Sequence, residues 1–446
     1  MGKKKVLFVY PRLEMSHGFM DVFVFRRMFP LGIHALASLT PPDWDVRIID
    51  ENIEPLNFDA KPDPNLVAIS SLTPSAPRAY EISQEFRKRG VKTIIGGPHV
   101  SFMTEEALRF ADSVAFREAD EIWPQILADA ASGKLRRIYA PEPPRLASTG
   151  KDEFISEIPY KFPGFRVPIV QTGRGCPGGC DYCQAWLMNG KTVRHRPVEA
   201  VVKAIENFFR NRQSMRKFMI FIDDNIVADK AYAKALFTEM RRLKVKWLCL
   251  TDIRIASDDI LDLAVKSGLI GAYIGFEAVD DNALSEISPV KARWRKQYEE
   301  AIGRLHDSGV MVEGSFIFGA DAHTPDVFKR TVDWAIENAV DIAQFSVLTP
   351  FPGTNLFQRL LLQNRITALK KNGEVDWRRF TGSEVVFRPL KLTPEELKGG
   401  LEYAHRAFYS FASIVSRFER WGREHREGSC NFLTLFANFD FKRMRL

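Results

Sequence analysis

Short apolar segments of strand length alternate with longer segments of helical periodicity through the first 150 residues. The strand-like segments are KKVLFVYP, WDVRIIDE, LVAISSLTPS and VKTIIGGPHV, and amphipathic segments such as APRAYEISQEFRKRG lie between them. Strands that alternate with helices predict a parallel sheet covered by helices on both faces. We therefore expect an α/β protein whose residues 1–150 form a Rossmann-like, doubly wound parallel sheet, with ligands beyond the carboxyl ends of its strands.

A second series of six strand-like segments follows in residues 166–354. They are RVPIVQTGRG, KFMIFIDDN, VKWLCLTD, IGAYIGFEAV, VMVEGSFIFGAD and IAQFSVLTPFPG, each followed by a helix or loop. This series predicts a partial (β/α)6 barrel of the TIM type, with its chemistry at the carboxyl ends of the strands. Residues 151–165 are interrupted by prolines and lack either periodicity, which predicts a linker. Residues 355–446 are rich in aromatic residues and predict a C-terminal helical domain.

The composition limits the classes of protein to consider. At 446 residues, 45% hydrophobic and 27% charged, the chain is typical of a globular protein of two or three domains. The first apolar run stops at Pro11-Arg12, and no run approaches the roughly 18 residues of a membrane span, so we expect no transmembrane segment and a cytoplasmic location. The net charge of +7 is mild and spread out, which argues against nucleic acid as a partner.

Three of the chain's five cysteines lie within eight residues, in the loop GRGCPGGCDYCQ. Cys176, Cys180 and Cys183 supply three thiolates and leave one metal coordination position unfilled by nearby protein. The spacing alone leaves two interpretations open: an iron-sulfur cluster with an open position, or a zinc ion with His195 as fourth ligand. Cys249 lies within a predicted strand, where a cysteine is more often a small buried hydrophobe than a ligand.

The predicted N-terminal sheet has small and polar residues at its strand ends. Gly96 and Gly97 follow a buried strand, where the missing side chains allow a close approach of a ligand or mark a tight turn. Ser70 and Thr73 follow the preceding strand, and Glu118 follows the next one. No G-x-G-x-x-G motif follows the first strand, which disfavours a nicotinamide site.

The cysteine loop, with Tyr182 just before its last cysteine, resembles the signature of the radical S-adenosylmethionine enzymes. In that family three cysteines hold a [4Fe-4S] cluster, and S-adenosylmethionine chelates the fourth iron. The motifs FIDDN, IGFEA, GSFIFGAD and TPFPGT fall at successive strand ends, as the family's cofactor-binding motifs do. The resemblance implies that the S-adenosylmethionine site contains Tyr182, Asp223, Glu277, Ile317, Gly319 and Pro352. Asp223 and Glu277 are candidates for its amino and ribose groups. Alternatively, these two carboxylates form salt bridges within the barrel, with neighbours such as Arg194 or Arg254.

The N-terminal domain, with TPSAPRAYEIS and GGPHVSFMTEEAL, resembles the cobalamin-binding domain of the cobalamin-dependent subgroup of these enzymes. This resemblance implies a corrin between the sheet and the barrel mouth, with Ser70, Thr73, Gly96, Gly97 and Glu118 near the corrin or its nucleotide tail. The Asp-x-His-x-x-Gly loop of the cobalamin-dependent mutases is absent, so no histidine from such a loop binds cobalt. Two further departures are Arg117, where relatives often have glycine, and Ala278, which replaces a common serine.

The resemblance also implies an activity. Members of the subgroup cleave S-adenosylmethionine reductively to a 5'-deoxyadenosyl radical and, with cobalamin, methylate an unactivated carbon. We expect the same here, on a small-molecule substrate that is apolar or a natural product, with flavodoxin or ferredoxin as reducing partner. One alternative keeps both cofactors but ends in oxidation, cyclisation or rearrangement. Another, from a different class, is a non-catalytic protein that binds a metal cluster or zinc.

Overall fold

The computed structural model describes residues 3–13, 30–141, 155–159, 166–210, 217–420 and 428–442, with the backbone alone for 155–159, 166 and 428–433. The N-terminal part is a six-stranded parallel sheet in the order β2-β1-β3-β4-β5-β6. Its strands are β1 (Lys4–Tyr10), β2 (Trp44–Asp50), β3 (Leu66–Ser70), β4 (Lys92–Gly96), β5 (Ser113–Ala115) and β6 (Ile138–Tyr139). Its helices are α1 (Leu31–Leu39), α2 (Ala76–Lys88), α3 (Pro98–Phe102), α4 (Thr104–Ala107) and α5 (Trp123–Ala131).

The two faces of this sheet bury separate hydrophobic cores. Val9, Ile69 and Ile95 pack with α2 on one face, whereas Phe8 packs with Trp123 of α5 on the other. Consecutive side chains of a strand point to opposite faces, so a run such as Val6–Tyr10 serves both cores. The predicted doubly wound sheet is confirmed.

The six predicted strands of the second domain form a curved parallel sheet, which also confirms the partial barrel. The sheet order is β15-β14-β13-β12-β11-β8-β7, in which only β7 is antiparallel. The strands are β7 (Ile155–Pro159), β8 (Arg166–Val170), β11 (Phe218–Phe221), β12 (Lys246–Thr251), β13 (Leu269–Glu277), β14 (Met311–Phe318) and β15 (Ile342–Val347). A separate ribbon contains β9 (Gly173–Arg174) and β10 (Arg194–His195).

Helices follow most of the parallel strands and cover the outer face of the barrel. They are α6 (Ala185–Asn189), α7 (Val198–Arg210), α8 (Lys230–Met240), α9 (Asp258–Ser267), α10 (Asp281–Ile287), α11 (Pro289–Ala292), α12 (Tyr298–Asp307) and α13 (Val327–Glu337). Short 3-10 helices span Arg241–Leu243, Ile253–Ala256, Arg295–Gln297 and Trp377–Arg379. Within the described parts of the chain, no helix has the length and apolar character to cross a membrane.

The segment that we predicted to be a linker contains β7. This strand pairs antiparallel with β8 and extends the barrel sheet by one strand. The local sequence, which is interrupted by prolines, does not predict this strand, because the strand forms through tertiary pairing with β8 rather than through local periodicity. The remainder of residues 151–165 lies outside the described residues.

The C-terminal extension covers the free edge of the barrel sheet at β15. Its helices are α14 (Asn355–Leu362), α15 (Pro394–Phe408), α16 (Phe411–Arg420) and α17 (Gly428–Lys442). The Tyr409 hydroxyl donates to the Ala343 carbonyl (2.9 Å) and accepts from the Ala343 amide (3.1 Å). Arg417 donates to the carbonyls of Val340 and Asp341. These side chains satisfy backbone groups that an uncovered edge strand would expose.

Candidate functional site

The cysteine loop follows β9 and is held to the barrel by backbone hydrogen bonds. The Cys176 amide donates to the Gly190 carbonyl (3.1 Å), and the Trp186 indole donates to the Cys180 carbonyl (3.0 Å). Gly175 has a φ of +110°, and a Cβ there would collide with the Thr192 carbonyl, so this glycine is required by the fold. The Asp181 amide donates to the Ile287 carbonyl, which ties the loop to α10.

The three thiols are largely enclosed. A Cβ added to Gly178 would lie 3.3 Å from the Cys176 sulfur and 3.8 Å from the Cys180 sulfur, so both thiols lie beside this small residue. Burial raises the pKa of the Cys176 thiol, and burial raises the pKa of Cys183 to about 12. Thiols in such a place become thiolates when a positive centre compensates them, as the irons of a cluster do. The donor set therefore fits an iron-sulfur cluster.

His195 does not join the cysteines. Its ring stacks on Tyr232 at 3.8 Å between centroids, and its Nε2 lies 3.4 Å from the Asp229 carboxylate. Among the described residues, no three His, Cys, Asp or Glu side chains come together to hold a single metal ion. The interpretation with His195 as a fourth zinc ligand is therefore wrong. Cys249 is buried in the barrel core, as expected.

Two consecutive carboxylates after β11 support the entry to the loop. Asp223 is buried, and its Oδ1 accepts from the Thr172 amide (3.0 Å), the Thr172 hydroxyl (2.8 Å) and the Gly173 amide. Burial raises the pKa of Asp223 to about 7. Asp224 reaches the cysteine loop itself, because its Oδ2 accepts from the Gly175 amide (3.0 Å) and the Asn189 side chain (2.9 Å). The FIDDN motif indicated Asp223 as a functional residue but gave no signal for the supporting role of Asp224.

Glu277 ends β13 in the left-handed region, with a φ of +65°, and is buried. It pairs with Lys291 of α11, which also donates to the Gly275 carbonyl (2.9 Å). Burial alone lowers the pKa of Lys291, but the charge and hydrogen bond of Glu277, together with smaller contributions, outweigh burial and raise this pKa above its usual value. The Tyr182 phenol, whose pKa is raised by burial, also hydrogen-bonds Glu277. The sequence offers no signal for Lys291, which is a lone lysine fourteen positions further on.

The predicted ion pairs to arginine do not form. In the described residues Arg194 pairs with Glu118 and Arg254 pairs with Asp252, so neither arginine pairs with Asp223 or Glu277. Glu277 is part of an ion pair nonetheless, with Lys291 as its partner.

The other predicted contacts to S-adenosylmethionine lie at later strand ends. Ile317 is buried near the end of β14. The Pro352 carbonyl accepts from the Gln184 amide group (2.8 Å), which brings this turn against the cysteine loop. Gly319 has a φ of +108°, and a Cβ there would lie 3.0 Å from Leu397 and 3.3 Å from Phe387. Packing of the C-terminal extension thus accounts for this glycine, and its contact with the cofactor stays a prediction.

A cleft of about 250 Å³ lies at the carboxyl ends of β3, β4 and β5. Four of the five residues predicted for the corrin line it, namely Ser70, Gly96, Gly97 and Glu118. Thr73 is buried and is not part of this lining, and its hydroxyl has no hydrogen-bond partner among the described residues. The barrel contributes Gln171, Arg174 and Asn189 to the same lining. The cleft therefore has walls from both domains.

Ion pairs across the cleft join the two domains. Arg174, which is 9% exposed, donates to Glu118 (2.8 Å) and to both carboxylate oxygens of Asp120 (2.8 and 3.1 Å). Arg194 also pairs with Glu118. Burial by itself raises the pKa of Asp120, but the charge and hydrogen bonds of Arg174, together with smaller contributions, outweigh burial and lower it. The sequence indicated Glu118 for this cleft but not its arginine partners, because pairs more than fifty residues apart leave no local pattern.

The lining fits a flat cofactor with polar side groups. Small residues of three adjacent strands line the cleft, namely Ala68 within β3, Gly96 at the end of β4 and Ala115 at the end of β5, so the sheet offers a flat floor. The Nε of Arg117 is buried without a hydrogen-bond partner among the described residues, and this side chain also lines the cleft. A phosphate or amide oxygen would satisfy it.

The two glycines of the cleft have different structural requirements. Gly97 has a φ of +107°, and a Cβ there would lie 2.6 Å from the Ser71 carbonyl oxygen, whereas a Cβ at Gly96 would make an ordinary 3.6 Å contact with Ala115. We expect Gly97→Ala to lower the free energy of unfolding by about 2 kcal/mol or more. Gly96→Leu should cost less than half as much but should reduce bound cobalamin. Urea unfolding measures the change in stability, and the cobalt content of purified protein measures bound cobalamin. Full cobalt content in Gly96→Leu would contradict the assignment of this cleft to cobalamin.

Arg117 adopts a left-handed backbone conformation, with a φ of +58°. Glycine adopts that conformation without steric cost, whereas a residue with a side chain is strained there. We expect Arg117→Gly to be about 1 kcal/mol more stable than Arg117→Ala, because both lose the guanidinium and only alanine keeps the strain. Thermal unfolding of the two variants side by side tests this; equal stabilities would show that the backbone there is unstrained.

Comparison with known proteins agrees with this geometry. The Radical SAM superfamily model matches residues 170–350, and the B12 binding domain model matches residues 24–127. The chain is 28% identical over 426 residues to the bacteriochlorophyllide d C-12(1)-methyltransferase of Chlorobaculum tepidum, and this alignment covers 94% of this chain and 90% of that protein. It is 25% identical to the anaerobic magnesium-protoporphyrin IX monomethyl ester cyclase of Cereibacter sphaeroides, over 78% of this chain and 60% of that protein.

A solved structure shares the fold. The radical S-adenosylmethionine methyltransferase TsrM of Kitasatospora setae, with cobalamin and a [4Fe-4S] cluster bound, superposes with a TM-score of 0.67 at 15% identity, covering 96% of this chain and 91% of that one. Fold and cysteine loop together define a radical S-adenosylmethionine enzyme. More narrowly, the chain belongs to the radical S-adenosylmethionine enzymes that carry a B12-binding domain. Its cofactors are a [4Fe-4S] cluster, S-adenosylmethionine and cobalamin.

Proposed function

We propose that this protein transfers a methyl group to an unactivated carbon of an apolar small molecule, and that tetrapyrroles are the first substrate class to test. Relatives over most of the chain support the proposal, since the two quoted above are both named for tetrapyrrole substrates. The observation that carries it is the cleft with walls from both domains, because Arg174 and Asn189 of the barrel line the same space as Gly96 of the sheet.

In this proposal residues 1–150 bind cobalamin, residues 166–354 bind the cluster and S-adenosylmethionine, and residues 355–446 cover the barrel edge. Bound together, the three cofactors supply hydrogen abstraction from carbon and a transferable methyl group. The chain's own residues hold and orient them. Cys176, Cys180 and Cys183 bind the cluster, and Asp224 fixes the loop that carries them through its contacts with Gly175 and Asn189.

The candidate S-adenosylmethionine contacts surround this loop. Asp223 is proposed to accept from the amino group through its buried Oδ2, which has no partner among the described residues. Glu277, held by Lys291, is proposed to accept from the ribose or amino group. Tyr182, Ile317 and Pro352 complete the site around the cysteine loop, and a flavodoxin or ferredoxin supplies the electron.

The experiment is incubation of anaerobically reconstituted enzyme with methyl-labelled S-adenosylmethionine, dithionite and a candidate tetrapyrrole. The proposal predicts label in the product together with 5'-deoxyadenosine. One 5'-deoxyadenosine per product without label would instead support oxidation, cyclisation or rearrangement, the outcome that the cyclase relative suggests. No cleavage of S-adenosylmethionine under any reducing condition would favour a non-catalytic metal-binding protein. Lys291→Met is a matched variant, since it removes the partner of Glu277 and should lower S-adenosylmethionine affinity.

A further inference from the structure

The concave face of the barrel sheet is polar on one side, at strands β13, β14 and β15. Phe276, Phe316 and Phe345 of these strands stack on each other at 5.6 to 5.8 Å on the helix-covered face. Because side chains alternate along a strand, the neighbours of these phenylalanines point to the concave face. Those neighbours are Tyr273, Gly275, Glu277, Glu313, Ser315, Ile317, Gln344 and Ser346. We call Tyr273, Glu313, Ser315 and Gln344 the polar wall.

The other half of the concave face is apolar. Trp247 and Cys249 of β12 point into the helix-packed core, so Leu248 and Leu250 point to the concave face and are partly exposed there. Ile169 and Ile220 of β8 and β11 pack with Leu248 on the same side, and Leu31 of α1 belongs to the same cluster. The barrel therefore has an apolar wall from β8, β11 and β12 opposite the polar wall from β13 to β15, and Leu248 and Leu250 are its partly exposed members on β12.

Glu313 is the central group of the polar wall. It is 7% exposed, and its Oε1 accepts from the Gln344 side-chain amide at 2.7 Å. No basic side chain among the described residues pairs with it, and burial raises the pKa of Glu313 to about 8. A carboxyl group in this state is protonated at neutral pH and can donate a hydrogen bond. The second amide hydrogen of Gln344 is a further donor beside it.

The polar wall is continuous with the cysteine loop. Tyr273 hydrogen-bonds Ser315, and Glu277, whose charge helps to raise the pKa of Tyr273, pairs with Lys291 beside the cysteine loop. A molecule bound against Glu313 and Gln344 would thus lie beside the groups that we assign to the cofactors. A buried polar group costs free energy unless it has a hydrogen-bond partner. The single hydrogen bond between Glu313 and Gln344 leaves two donors available, the protonated Glu313 carboxyl and the second amide hydrogen of Gln344.

We propose that Glu313 and Gln344 bind a carbonyl-type oxygen, as in an ester, ketone or carboxyl group, on one edge of a flat and otherwise apolar substrate. The apolar wall packs against the remainder of that molecule. This inference rests on the proposed function and narrows its substrate class to tetrapyrroles that carry carbonyl-type side groups. Glu313 and Gln344 are in this account residues that determine specificity.

Equilibrium binding of two porphyrins to the holoenzyme tests the inference without turnover. The probes are mesoporphyrin IX dimethyl ester, which carries two ester groups, and etioporphyrin I, which carries alkyl groups alone; porphyrin fluorescence anisotropy reports binding. We expect the ester to bind the wild-type protein about 10-fold more tightly than the alkyl porphyrin. Glu313→Leu and Gln344→Leu should remove this preference by weakening the ester alone. Glu313→Gln, which keeps a donor, should retain most of it.

The controls separate local from general effects. Glu300→Leu, on the exposed side of α12, should leave both affinities unchanged. Iron and cobalt contents and circular dichroism of each variant report whether it folds, and Gln344→Leu keeps the test valid if Glu313→Leu does not fold. Equal affinities in the wild-type protein, an unchanged preference in Glu313→Leu, or no binding of either porphyrin would overturn the inference. An ester preference without transfer of label would refute methyl transfer and leave this binding site standing.

Discussion

Cys176→Ala is expected to abolish cluster assembly and all cleavage of S-adenosylmethionine while the N-terminal sheet stays folded. Three thiolates are the whole protein contribution to the cluster, so two leave an iron without a ligand. The N-terminal sheet has its own cores around Phe8 and Val9, separate from the barrel core, and should not respond to a change in the loop. Iron and sulfide analysis, visible absorbance and 5'-deoxyadenosine formation measure the effect.

Cys249→Ala is the matched control. Cys249 is buried on the helix-packed side of β12, and its loss should leave the iron content unchanged and cost about 1 kcal/mol of stability. Retained iron and activity in Cys176→Ala would refute the assignment of the cluster ligands. Loss of iron in Cys249→Ala as well would point to a general folding defect.

Arg174→Ala is expected to destabilise the chain by about 3 to 5 kcal/mol, the largest stability effect that we predict. The substitution leaves Asp120, whose carboxylate is mostly buried, without its two hydrogen bonds from the guanidinium. It also removes one of the two arginines that pair with Glu118, and it leaves the Gln171 side-chain oxygen without its hydrogen bond from Arg174. Since these groups line the cleft between the domains, cobalamin content should fall with stability. Urea unfolding of the metal-free chain measures the first effect, and cobalt analysis the second.

The loss of stability in Arg174→Ala should depend on pH in a definite direction. Arg174 lowers the pKa of Asp120 in the folded state, so its contribution is present above the ordinary carboxyl pKa and is lost as the pH falls through the lowered value. The loss of stability in Arg174→Ala should therefore be largest near pH 7 and shrink in acid.

Arg242→Ala, which breaks an exposed pair with Glu206, is the control and should cost less than about 1 kcal/mol of stability. Equal effects of the two substitutions would contradict the structural role of Arg174.

Local pattern was sufficient for the architecture. The six barrel strands and the main strands of the N-terminal sheet are apolar runs bounded by turn residues, and the structure has them where the sequence predicts. The cysteine loop is likewise a local signal, because its ligands lie within eight positions. Such features depend on neighbours in sequence, which a single chain displays directly.

Features that depend on distant partners were not predictable. β7 forms because β8 has a free edge with which it can pair, and the segment ISEIP has no local pattern that predicts a strand. Trp377 donates to Glu106, 271 positions earlier, and packs edge-on against the buried ring of His99 at 5.0 Å. Likewise, Lys291 and Arg174 acquire their partners only through folding. Long-range polar pairs are set by the geometry of the finished fold, so the sequence could name single members such as Glu118 and Glu277 but not the networks.

The central claim is that one chain holds both an iron-sulfur cluster and cobalamin. Anaerobic purification with added cobalamin, followed by iron, sulfide, zinc and cobalt analysis with ultraviolet and visible spectra, tests it most directly. The account predicts about four irons and one cobalt per chain. Zinc in place of iron, or iron with no cobalt in protein whose N-terminal sheet is folded, would contradict it.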